Sequence, residues 1–131
     1  MKKILIIFCS VLLLTSCHHI TLEEKASKLA EDYTTRSCPT PVIDSQRTDS
    51  VTFNPQTLTF NYYYTLFDKA DNVEIIVKAK KKITSTLISQ LRENTTMKSY
   101  KDAAYNFHYV YRSNKTGDVL YERVFTKKDY K

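Results

Sequence analysis

The chain has one glycine, three prolines and no tryptophan in 131 residues. A lone Gly117 leaves no material for a glycine-rich phosphate loop or a collagen-like repeat, and so little glycine and proline argues against a disordered chain. Cysteine is almost as scarce. Cys9, Cys17 and Cys38 are all there are, too few for a disulfide framework. There is no internal repeat, no His-Glu-x-x-His, no Gly-x-Ser-x-Gly, no Cys-x-x-Cys and no calcium-loop pattern. Without a placed nucleophile and base, the inventory points away from an enzyme and implies no cofactor and no metal site.

What is present begins at the N-terminus. Lys2 and Lys3 precede an apolar run from Ile4 to Leu14 broken only by Cys9 and Ser10, and small polar residues follow. This is the layout of a secretory signal. The run falls short of the roughly 20 residues of a bilayer span, and no basic stop-transfer cluster comes after it.

Leu14-Thr15-Ser16-Cys17 resembles the lipobox of bacterial lipoproteins, in which an aliphatic residue, two small residues and a cysteine mark the cleavage site. The resemblance implies a diacylglycerol thioether on Cys17, removal of residues 1–16 and an envelope protein held to a membrane by its N-terminal lipid. Each buried methylene adds roughly 0.8 kcal/mol, so two or three acyl chains anchor where one does not. Residues 17–20 then form a lipidated tether and 21–131 a single domain, long enough for one core without staples. His18 after the lipidated cysteine is not the aspartate that suggests inner-membrane retention, so the outer membrane is expected if the host is diderm.

The formal net charge is +6, from 20 basic and 14 acidic residues, and Lys2 and Lys3 leave with the signal. A Tyr- and Lys-rich sheet suggests nucleic acid in a cytosolic protein, but export removes that partner. Anionic lipid head groups, an acidic envelope polymer such as a glycan, or an acidic protein surface remain as partners, and a plain solvated basic face is the favoured reading. Once Cys9 is removed and Cys17 blocked, Cys38 has no intramolecular partner and reads as inert.

Thr21-Leu22-Glu23-Glu24 matches a capping box. Leu22, Ala26, Leu29, Ala30 and Tyr33 follow at helical spacing, and Cys38-Pro39 ends the helix near Arg36. Pro41–Asp49 reads as a connector. Alternation starts at Ser50 and, after Asn54-Pro55-Gln56, places Leu58, Phe60, Tyr62, Tyr64 and Leu66 on one face of a second strand. Asp71 or Asn72 caps a helix from about Asn72 to Glu93, whose stripe is Val73, Ile76, Val77, Ile83, Leu87, Ile88 and Leu91. Thr95–Asp102 reads as a polar link. Tyr105–Arg112 and Val119–Thr126 form a second hairpin around Gly117, with Tyr105, Phe107, Tyr109 and Tyr111 on one face; the inward set of the last strand stays open between Val119, Tyr121, Phe125 and Leu120, Val124. The expectation is an α+β fold of order α-β-β-α-β-β, an antiparallel four-stranded sheet with two helices on one face.

The helix ending in Cys-Pro, the DSVTFN…LTFNYYYTL hairpin, the long helix and the YNFHYVYRSNKTGDVL hairpin are similar to small, largely uncharacterised bacterial envelope lipoproteins. That resemblance implies a fold, and a second cysteine near the C-terminus that this chain lacks. The preferred reading is a non-enzymatic interaction module, one version being an immunity or inhibitor protein. Its binding surface would be the face of Tyr63 and the cluster of Lys78, Lys81 and Lys82. Tyr62, Tyr64, Tyr109 and Tyr111 read as core aromatics, and His108 as a surface strand residue. The alternative is a small-ligand or lipid-binding lipoprotein, which requires a void lined by Leu58, Phe60 and the second helix.

Overall fold

Thr21 starts the first helix as the capping pattern predicts. The computed structural model describes residues 19–131; the expected signal peptide and Cys17 lie outside them. The Thr21 hydroxyl accepts the Glu24 amide at 3.1 Å, and α1 spans Leu22–Ser37. Glu23 and Glu24 occupy its first turn and Arg36 its last, each matched to the helix dipole. Ala26 and Ala30 are buried and Leu22 and Leu29 partly so, whereas Tyr33, expected on the same stripe, is 42% exposed.

β1 spans Gln46–Asn54, beginning at Gln46 where the apolar alternation predicts Ser50. Its added residues are polar and pair through backbone, Arg47 opposite Thr65 and Thr48 opposite Tyr64, with an irregularity at Asp49. The outer edge of β1 is covered. Thr34 Oγ1 donates to the Val51 carbonyl at 2.7 Å and accepts the Val51 amide at 2.8 Å. Thr40 repeats this at Thr48, its amide donating to the carbonyl at 3.0 Å and its hydroxyl accepting the amide at 2.9 Å. These contacts remove an open pairing edge.

β2 (Thr59–Leu66) pairs antiparallel with β1, as expected of a short hairpin, and Asn54 Oδ1 accepts the Gln56 amide at 2.9 Å in the turn. β3 (Asn106–Ser113) and β4 (Val119–Phe125) complete a sheet of order β1-β2-β3-β4. The expected fully antiparallel sheet is wrong at its centre. β2 and β3 run parallel, so the sheet is mixed. The cause lies in α2 (Val73–Glu93), which carries the chain from the end of β2 back to the level where β2 began. A strand starting there runs beside β2 in the same direction, through the long crossover that parallel pairing needs.

The count of two helices also needs correction. α3 (Lys98–Asp102) and α4 (Lys127–Tyr130) are short and a 3-10 turn covers Asp68–Ala70, giving the order α-β-β-α-α-β-β-α. Each short helix is tied down by one buried tyrosine. Tyr100 meets Phe60 edge-on at 5.0 Å, and Tyr130 meets Phe107 edge-on at 5.6 Å while its hydroxyl donates to the Tyr105 carbonyl at 2.7 Å.

Asn72 caps α2, its Oδ1 accepting the Ile75 amide at 3.2 Å. Ile76, Leu87 and Leu91 are buried and Ile83 and Ile88 partly, but Val73 and Val77 are 62% and 65% exposed. Asp71, released from capping, is buried and accepts the Lys115 amide at 3.0 Å, tying the β3–β4 loop to the start of α2. On β4, Tyr121 and Phe125 face the core while Val119 and Val124 are exposed. Phe60, Phe107, Phe125 and Tyr105 are fully buried at its centre. Each such phenylalanine contributes roughly 1.5–3 kcal/mol by leaving water.

The sheet thus has two distinct ends. Leu66, Ser113 and the start of α2 mark one. The other holds Thr59, Asn106, the last turn of α2, α3 and α4, and α1 begins there, with Glu23 beside Tyr105.

Candidate functional site

Parallel pairing of β2 with β3 sets tyrosine against tyrosine. Tyr62 lies opposite Tyr109 and Tyr64 opposite Tyr111 in the register. The rings stack, Tyr62 on Tyr109 at 4.9 Å and Tyr64 on Tyr111 at 4.6 Å, with the planes of Tyr64 and Tyr109 nearly parallel at 6.3 Å. Such pairs add roughly 0.5–1.5 kcal/mol beyond their burial.

The helices do not close fully over this pavement, although Tyr109 and Tyr111 are buried and Tyr62 and Tyr64 half-buried. α1 packs along β1, while α2 packs toward β4, where Thr84 Oγ1 and the Tyr121 hydroxyl hydrogen-bond at 2.8 Å. Between sheet and α2 lies a cleft of about 550 Å³ floored by Tyr62, Tyr64, Tyr109 and Tyr111. A second hollow of about 240 Å³, bounded by Leu29, Tyr33 and Phe60, shares Tyr62, Tyr64 and Asn94 with it. Together they form a trough between the two long helices.

The four floor hydroxyls have no hydrogen-bond partner among the described residues. Burial, reinforced by the neighbouring tyrosines, pushes Tyr109 up to about 12 and lifts Tyr62, Tyr64 and Tyr111 further above the ordinary phenol range. They are neutral at physiological pH, so they serve as hydrogen-bonding groups on an apolar surface and not as nucleophiles. Gln90, Asn94 and Lys82 line the same cleft.

Of the surface expected from sequence, Lys82 therefore lines the cleft, while Lys78 and Lys81 are exposed on α2. Tyr63 lies on the opposite sheet face, level with Ser50 and Val110. The structure does not bring it together with the lysines. Cys17 lies outside the described residues. On the Tyr63 face a polar chain crosses all four strands: Asn61 Nδ2 donates to Thr52 Oγ1 at 3.2 Å, His108 Nδ1 meets Asn61 Oδ1 at 2.8 Å, and His108 Nε2 meets Glu122 at 2.7 Å. Among the described residues no group of three or more His, Cys, Asp and Glu side chains is placed to hold a metal ion, and no helix is long and apolar enough to cross a membrane.

The expectation of core aromatics holds, since Tyr109 and Tyr111 belong to the buried core and Tyr62 and Tyr64 pack partly buried against it; the trough that their hydroxyls face was not foreseen. The available signal was their chemistry: a sealed core favours Phe and Leu, and four phenols on one face need somewhere for their hydroxyls.

A family model described as Domain of unknown function (DUF8479) matches residues 21–121. The chain belongs to that family. The match begins at the cap of α1 and runs into β4, so the family's extent includes every floor tyrosine. Among solved structures, a Pseudomonas aeruginosa protein whose description as secreted is itself provisional superimposes with a TM-score of 0.66 at 14% identity, covering 86% of this chain and 100% of its own. The pilotin EpsS of the Vibrio vulnificus type 2 secretion system gives 0.61 at 14% identity, over 83% and 91%. The type II secretion pilotin AspS of Vibrio cholerae gives 0.56 at 15% identity, over 82% and 90%. At such identities the likeness concerns the fold. No curated protein matches the chain in sequence.

Proposed function

We propose that this family member is a lipid-anchored envelope lipoprotein that acts as a non-enzymatic interaction module, gripping a segment of a partner protein in the tyrosine trough. The observation that carries the reading is the floor of Tyr62, Tyr64, Tyr109 and Tyr111, four amphipathic rings whose hydroxyls have no hydrogen-bond partner among the described residues. Tyrosine anchors of this kind bind apolar side chains with the ring and backbone with the hydroxyl. The fold shared with two secretion-system pilotins supports an assembly partner over an effector neutralised in the periplasm. The Leu14-Thr15-Ser16-Cys17 pattern supports the anchor and, with His18, the outer membrane of a diderm host.

The experiment compares envelope extracts passed over the wild-type protein and over Tyr64→Ala. A protein partner retained by the first and lost by the second supports the module. Intact mass of the membrane-extracted protein tests the anchor: acyl mass on wild type and none on Cys17→Ser.

A second reading, a carrier of a small apolar ligand, is favoured by one observation. The cleft volume falls within the roughly 300–1,000 Å³ typical of small-molecule sites. The void expected for a carrier involved Leu58 and Phe60; the trough reaches Phe60 but not Leu58. Mass spectrometry of the organic extract decides, since a stoichiometric small molecule lost in Tyr64→Ala favours the carrier over the module.

A further inference from the structure

The end of the sheet at which α1 begins carries a concentration of cations that the tyrosine trough does not use. Arg92 in the last turn of α2, Lys98 and Lys101 on α3, and Lys127, Lys128 and Lys131 on and beside α4 gather there, against Glu93, Asp102 and Asp129 around them and Glu23 and Glu24 in the first turn of α1. All but Lys128 rim a hollow of about 380 Å³ between the end of α2, α3 and α4. Part of the charge is engaged internally. Lys98 Nζ meets Asp102 at 2.6 Å, Lys101 Nζ donates to the Leu91 and Arg92 carbonyls at 2.7 and 3.0 Å, and Arg92 Nη2 donates to the Asp129 carbonyl at 2.9 Å. The ammonium groups of Lys127, Lys128 and Lys131 have no partner among the described residues.

Position gives this patch its meaning. Glu23, in the first turn of α1, lies beside Tyr105, whose carbonyl takes the Tyr130 hydroxyl of α4. Between Cys17 and Leu22 the chain spans at most roughly 17 Å when extended. β2 and β3, eight residues each, lead about 26 Å away from this end. A lipid on Cys17 therefore keeps the end that carries α3 and α4 within reach of the bilayer, nearer to it than the exposed start of α2.

We propose that this hollow and its lysines seat the phosphodiester headgroups of anionic phospholipids, so that the domain stands on the bilayer in one orientation. The inference rests on the lipid-anchor reading above. An acyl anchor fixes distance but not orientation; a basic patch at the anchored end supplies the second attachment.

The test is amide hydrogen exchange of the acylated protein reconstituted into vesicles of phosphatidylethanolamine with phosphatidylglycerol, and into phosphatidylcholine alone. Amides of Lys98–Asp102 and Lys127–Tyr130 are expected to exchange about tenfold more slowly on the anionic vesicles, an advantage lost at high salt. K127E/K131E is expected to lose that protection, while K69E/K78E, with the same change in net charge at the other end of the sheet, keeps it. Equal exchange on the two vesicles, or equal loss in the two variants, overturns the proposal. So does protection produced by inorganic phosphate in detergent with no further gain on vesicles, which assigns the hollow to a free anion. Mass of the same samples separates the two readings: if Cys17 carries no acyl group, the anchor fails, and vesicles added to the protein in solution still decide the patch by the same comparison.

Discussion

Two single residues show how this fold treats the backbone groups its elements leave over. Thr34 satisfies both polar groups of Val51 with one hydroxyl, so Thr34→Val exposes an unpaired donor and an unpaired acceptor at the α1–β1 junction. A loss of about 1–2 kcal/mol is expected in urea unfolding, most of it restored by Thr34→Ser. Asp71 works on the β3–β4 loop, and the Ser113 hydroxyl bond, with the Lys115 amide, holds its carboxyl below the ordinary aspartate value. A carboxyl lowered on folding stabilises the protein above its unfolded value, near ~3.9, and that contribution is lost as pH falls through the folded value. The stability difference between wild type and Asp71→Asn should be constant from neutral pH down to about 5 and shrink below about 4. A difference that grows in acid would contradict the role given to Ser113.

The tyrosine floor behaves as one element, because parallel register stacks its rings across β2 and β3. Burial raises all four phenols, Tyr109 to about 12. A phenol raised on folding contributes stability below its unfolded value, near ~10, and that contribution is lost as pH rises through the folded value. Ultraviolet titration should therefore show exposed tyrosines ionising first, with the floor tyrosines following at or above about pH 12 together with loss of near-ultraviolet dichroism. Floor ionisation near 10 in a folded protein would mean the trough is wetter than its geometry allows. The elements around this floor were unevenly legible. Thr21, Asn72 and the Asn114–Asp118 turn announce themselves because caps and turns are local chemistry. The start of β1 was hidden because Arg47, Thr48 and Asp49 pair through backbone and polar side chains, leaving no apolar period. α3 and α4 each bury a single residue, Tyr100 and Tyr130, below what periodicity can register. Parallel pairing is a property of the α2 crossover as a whole, and no residue of β2 or β3 records it.

At the scale of the whole molecule, the two long helices are attached to the sheet independently, and unequally. α2 buries Ile76, Leu87 and Leu91, whereas the only buried side chains of α1 are Ala26 and Ala30. The trough between them removes any broad helix–helix contact that would share the load. α1 is therefore expected to open as a separate unit. Native-state hydrogen exchange should report an opening free energy for amides of Ala26–Ser37 about 2 kcal/mol or more below that of Phe60–Leu66 and Phe107–Tyr111. The same asymmetry gives a bound segment its leverage, because a chain lying in the trough touches Leu29 and Tyr33 on one side and α2 on the other. Once a partner is in hand, a hundredfold excess over its Kd should stabilise the protein by about 2.7 kcal/mol. The gain should be concentrated in the amides of α1, which occupancy joins to the rest of the core. Protection spread evenly over sheet and helices would instead place the partner outside the trough.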